Sequence, residues 1–220
     1  MKKFTKPLTF LTMFLFIITG LLFANPNKVS AQTLTTPNIN NLSKVQKDEL
    51  VNAFTRTNID NSLKKFDFTK SGKQTVQLSA NCAINCTVTS TTQSKSLVDN
   101  NLKTLNSIKP LYYSTTTKQV SIDATAFLSN KVWALYLSGT FGYNGSTVNP
   151  IDYNVSGQTY MVGWGTSNSS GKNISISSTQ AKATGTAQFY LGFSGNPIQS
   201  FQPVIAVGCN QYGQTIKYSN

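Results

Sequence analysis

The sequence predicts a mainly β fold, an antiparallel β-sandwich-like domain with two short helices in the N-terminal half of the chain. Three observations carry that expectation. After Pro110 the apolar residues recur at every second position in short runs, which is the period of a half-buried strand. Asparagine, serine and glycine cluster between the runs, at Asn144-Gly145, Ser170-Gly171 and Ser194-Gly195-Asn196, where turns belong. A 220-residue chain with 39% apolar residues also has enough material for one sizeable core.

Residues 1–31 read as a signal peptide. Lys2, Lys3 and Lys6 precede the apolar run from Leu8 to Phe23, and Val29-Ser30-Ala31 places small residues where a signal peptidase reads, so cleavage is expected before Gln32. Left uncleaved, the same run approaches the length of a membrane anchor. The expectation is a secreted, extracellular protein.

Residues 32–65 read as a flexible leader and a short helix. Gln32 to Asn41 is polar, Ser43-x-x-Gln46 has capping-box spacing, and Leu50, Val51 and Phe54 share one helical face. The β domain is expected over residues 66–220. Its first run places Val76, Leu78, Ala80, Cys82, Ile84, Cys86 and Val88 on one face of a single strand. Val98, Leu102, Leu105 and Ile108 then suggest a second amphipathic helix, ended by Pro110. Trp133, Leu135, Leu137, Phe141 and Tyr143 alternate in a strand leading into Asn144-Gly145, a type I′ hairpin signal. Further strands are marked by Tyr160, Val162 and Trp164; by Ile174 and Ile176; by Ala187, Phe189, Leu191 and Phe193; by Ile205 and Val207; and by Ile216 with Tyr218.

The chain has no histidine, one glutamate (Glu49) and six aspartates, which excludes the imidazole base, His-ligated metal and the Ser-His-Asp triad. No cofactor, metal site or catalytic residue is expected, and the chain does not read as an enzyme. Cleavage before Gln32 would remove four of the 19 cations and none of the 7 anions, leaving a net charge of +8 with Arg56 as the single arginine. Lysines attract anions without the planar fork that reads bases, so the expected partner is an anionic cell-wall polymer or a membrane surface, with no specific nucleic acid.

The three cysteines are disulfide candidates. Along one strand Cys82 and Cys86 stand about 13 Å apart, beyond the roughly 7 Å reach of a disulfide. Cys209 continues the inward alternation of Ile205 and Val207, so a bridge to Cys82 or Cys86 is expected, with a local Cys82–Cys86 link in a bent segment as the rival. Asp123 and Asp152 are the most plausible carboxylate pair, although an outward solvated strand position suits the first and a turn the second. Trp133 belongs with the core. Trp164, Tyr160 and Tyr153 are the candidate ligand-binding aromatics, as in platforms that hold sugar rings. The polar segment Ser167 to Thr186 has the alternation of a membrane-inserting hairpin, but also that of an ordinary exposed one.

The stretch Val132-Trp133-Ala134-Leu135-Tyr136-Leu137-Ser138-Gly139-Thr140-Phe141-Gly142-Tyr143-Asn144-Gly145-Ser146, with Ala183-Thr184-Gly185-Thr186-Ala187 after it, resembles uncharacterised secreted β-rich proteins of Gram-positive bacteria over about residues 131–192. That resemblance implies a β-rich fold and an exported protein, and it contributes no functional residues. The function expected is a secreted, non-catalytic binding or interaction protein of the cell envelope or extracellular medium. The alternative is a secreted antibacterial or membrane-active, bacteriocin-like β protein. Behind both stands a wall hydrolase built on Asp123 and Asp152.

Overall fold

The computed structural model describes residues 38–94, 114–193 and 196–217. The expected signal peptide, the start of the leader, the helix expected around Val98 to Ile108, the Ser194-Gly195 turn and Tyr218 lie outside them. The described chain is mainly β, with two antiparallel sheets packed together and two helices near its N-terminal end.

The helices are α1 (Lys44–Ala53) and α2 (Arg56–Leu63). Helix α1 starts as its spacing suggests: the Ser43 hydroxyl accepts from the Gln46 N–H, and the Gln46 side chain accepts from the Ser43 N–H, so two end donors are satisfied reciprocally. Helix α2 had no sequence signal strong enough to separate it from α1. Its cap is Thr55, and Asn58 ties the two helices by donating to the carbonyls of Asn52 and Ala53. The supposed leader differs too. Ile39 is buried and its N–H donates to the Val162 carbonyl, so an apolar side chain in a polar stretch finds the core.

The first sheet is a meander of β1 (Gly72–Gln77), β2 (Cys82–Ser94), β3 (Ser114–Ala126), β4 (Asn130–Tyr143) and β5 (Val148–Thr159), each paired with its sequence neighbour. The second holds β6 (Trp164–Ser177), β7 (Gln180–Phe193), β8 (Asn196–Phe201) and β9 (Val204–Asn210); β8 and β9 pair with successive halves of β7. The single strand expected from Val76 to Val88 is instead a hairpin. It turns at residues 78–81, where the N–H groups of Leu78 and Ser79 both donate to the Cys82 carbonyl. The alternation survives because both arms keep their apolar side inward. Tyr160 and Val162 lie in the connection between β5 and β6, and Ile216 reaches β9 through one backbone bond without forming a strand. At Asn144 the β4–β5 hairpin closes differently from a type I′ turn. Gly145 alone has a positive φ, and the Asn144 side chain accepts from the N–H groups of Ser146 and Thr147.

The core between the sheets is aromatic at its centre. Trp133 stands 4.8 Å from Phe189 and 5.2 Å from Phe201, while Trp164 lies 5.9 Å from Phe201 and 5.8 Å from Phe54 of the helical segment. Where β4 and β5 face β7 the sheets meet through small residues. A Cβ on Gly139 would stand 2.6 Å from that of Ala183, and one on Gly157 would stand 2.7 Å from that of Ala187. Hydrogen is the only side chain that fits at these two positions without displacing a neighbour.

The β3–β4 turn has unusual geometry. Phe127, Leu128 and Ser129 have φ of 41°, 64° and 64°, three successive left-handed residues without a glycine. Each such residue costs on the order of 1 to 2 kcal/mol. The tip is held from both sides: the Phe127 N–H donates to the Asn81 carbonyl at 2.9 Å, and Asn130 Nδ2 donates to the Phe127 carbonyl at 2.8 Å. At its apex Leu128 is 98% exposed.

Candidate functional site

The outward side chains of the first sheet form transverse rows fixed by its register. One row runs Lys73, Thr87, Ser121, Tyr136, Ser156; its neighbours run Thr89, Gln119, Ser138, Asn154 and Thr75, Asn85, Asp123, Ala134, Gln158. All of them except Ala134 and Gln158 line two adjoining hollows. The first, of about 380 Å³, is neutral and edged by Tyr136, with hydroxyls and amides from Thr87, Gln119, Ser138 and Asn154. The second, of about 570 Å³, lies between Lys73 and Lys131 and extends past Asn81 and Asp123 to Leu128 and Ser129. Thr87 lines both, so together they make one polar trough across the sheet. The register shift at Ala124/Thr125 re-aims the strands beside it, as bulges do.

Its floor is organised by side-chain hydrogen bonds. The Thr75 hydroxyl donates to Asn85 Oδ1 at 2.8 Å, and Asn85 Nδ2 donates to Asp123 Oδ2 at 3.0 Å, linking three strands. Asp123 points outward as expected but is only 9% exposed, because Asn85 and its neighbours cover it. Asp152 pairs with Thr140, six residues along β4 from Ala134, the partner of Asp123. That puts the two carboxylates about 20 Å apart, whereas glycosidase pairs stand no more than about 9.5 Å apart. The structure does not bring them together. Among the described residues no three His, Cys, Asp or Glu side chains converge as a metal site would require.

The expected aromatic platform is also dispersed. Trp164 is 7% exposed and packs in the core, with its indole nitrogen buried and unbonded among the described residues. Its flanking glycines give it room on the chain, but Ile39 fills the space beside Gly163 and the Tyr190 ring lies against Gly165. Tyr153 is 42% exposed and sits in the middle of β5, seven residues before Tyr160, its ring close to Gly171. Of the three, Tyr160 alone reaches the trough's margin. The Tyr136 and Tyr160 hydroxyls share a hydrogen bond of 2.8 Å, and Tyr160 bonds Gln158 Oε1 at 2.6 Å, while the Lys131 ammonium lies 5.6 Å from the Tyr160 ring centre. Burial first, and then the Tyr136 bond, push the Tyr160 hydroxyl up to about 12, so it stays a neutral phenol at ordinary pH. Tyr136, Asn85 and Gln119 carried no sequence signal of their own. Outward polar residues on strands look alike until register shows which are neighbours.

The disulfide expectation is corrected. Cys82, Cys86 and Cys209 are all buried and all free. All three point inward as expected, but at different levels of the sandwich. Cys209 lies near enough to Lys118 for the two to perturb each other's titration, and Lys118 pairs with Ser90, four residues beyond Cys86. Cys82 and Cys86 stand four residues apart on β2, about 13 Å along the strand, and neither is joined to Cys209.

The chain matches no protein-family model, no curated protein and no solved structure.

Proposed function

We propose that this is an extracellular, non-catalytic binding protein that holds an anionic, polyhydroxylated polymer of the cell envelope along the outer face of the five-stranded sheet. The observation that carries the reading is the continuous trough: a neutral hydroxyl- and amide-lined half beside Tyr136, opening into a half flanked by Lys73 and Lys131. Hydroxyl and amide side chains exchange hydrogen bonds with polyol hydroxyls, and a tyrosine ring offers an apolar surface to their C–H groups. The two ammonium groups favour an anionic repeat, and the Asp123 carboxylate beneath them is engaged by Asn85. This reading needs no activated nucleophile and no proton transfer.

The test is titration of the purified protein with poly(glycerol phosphate), followed by calorimetry. Tyr136→Ala should weaken binding about tenfold, the loss of roughly 1.4 kcal/mol of contact, with circular dichroism unchanged. Lys73→Gln combined with Lys131→Gln should weaken it and flatten its salt dependence. Lys172→Gln, which removes one charge from β6 in the other sheet, should leave it unchanged. Equal losses from Lys172→Gln and from the trough variants would show that diffuse charge carries the binding, and the reading would fail.

A further inference from the structure

The strained β3–β4 tip borders the second hollow, and its position and its backbone call for the same explanation. A single exposed leucine is ordinary on a protein surface. Three successive left-handed residues without glycine are not, and strain of this kind persists only where the surroundings over-determine it. Here they do. Asn81 accepts the Phe127 N–H, and Asn81 is itself gripped from helix α1, with its Nδ2 3.0 Å from Glu49 Oε2 and its N–H 3.2 Å from Glu49 Oε1. The Phe127 side chain packs on the core and the Asn130 amide closes the turn. The effect is to hold Leu128 and Ser129 as a wall of the hollow, beside Lys131.

We propose that this tip is a preset jaw of the trough, with Leu128 covering the apolar C–H edge of a bound polyol chain whose anionic groups sit at Lys73 and Lys131. The inference rests on the trough being the ligand site. Leu128 buries almost nothing in the free protein, so its apolar surface is available to be covered on binding without loss elsewhere. The held backbone means that little ordering of the tip remains to be done when ligand arrives, which favours affinity.

Binding of poly(glycerol phosphate) and thermal unfolding, measured on the same variants, test it. Leu128→Ala should weaken binding about fivefold and leave the unfolding midpoint unchanged, because the side chain has no partner in the free protein. Leu128→Gly should weaken binding at least as much but raise the midpoint, since glycine accepts a positive φ without strain. An affinity for Leu128→Ala within twofold of the unmodified protein, while Tyr136→Ala loses tenfold, would overturn the jaw and leave the trough standing. If Tyr136→Ala also binds normally, the trough itself is wrong and the jaw falls with it. An unchanged midpoint in Leu128→Gly would show that the tip stores no strain.

Discussion

At the scale of single residues, the three thiols show how direction and level along a strand separate. Inward direction follows from alternation alone, which is why Cys82, Cys86 and Cys209 were all placed correctly on the core side. Level depends on how one sheet slides over the other, and alternation carries no information about that. Burial pushes the Cys86 thiol up to about 12, with the Asp123 charge adding to it, and the Cys209 thiol up to about 11. The thiolate is the reactive form, so the folded protein should react slowly, or not at all, with an aromatic disulfide reagent, and should release three equivalents once unfolded in guanidinium. Recovery of a single thiol after unfolding would restore the bridge and refute the free arrangement.

At the scale of elements, the junction of helix α1 with the β1–β2 turn depends on one carboxylate. Glu49 accepts from the Ser79 hydroxyl at 2.6 Å and from the Asn81 amide and N–H, and these bonds hold it below the usual 4.5, with the Ser79 bond the largest cause. A depressed value in the fold means that the contribution to stability is present above about pH 4.5 and is lost as pH falls through the folded value. Glu49→Gln should therefore lower the melting temperature at neutral pH and shrink its fall between pH 5 and about pH 3. Some acid sensitivity should remain, because Thr69 holds Asp67 low in the same way. An identical acid profile in Glu49→Gln would remove Glu49 from this role. The elements also differ in how readable they were. Strands β4, β7 and β9 alternate apolar residues against the core and were visible as such. Strand β5 carries no apolar alternation because it is polar on both sides, with Val155 and Gly157 meeting small residues of β6 and β7 where bulk cannot fit. The trough was illegible for a related reason: Thr87, Ser121, Tyr136 and Ser156 lie on four strands and become one row only through register.

At the scale of the whole molecule, the distance between the sheets is set on one side by hydrogen atoms. Gly139→Ala would drive a methyl group against Ala183, which sits in a paired strand and cannot turn away, so a loss of about 1 to 3 kcal/mol is expected. Adding Ala183→Gly should recover part of it, and the coupling between the two changes can be read from urea unfolding of the four variants in a double-mutant cycle. Additive losses would mean that the sheets have room to part there.

The meander has a consequence for how the molecule is made. Every strand of the first sheet pairs with the next one along the chain, so residues 72–159 can zip up without any strand of the second sheet. Local pairings close short loops and form early. A chain released from its N-terminus presents the first sheet complete and one-sided, with Trp133, Leu135, Leu137 and Phe141 facing a partner not yet in place. The half-made chain is therefore its own most adhesive form, and the time taken to add β6 and β7 is the interval in which it most needs a chaperone's shelter.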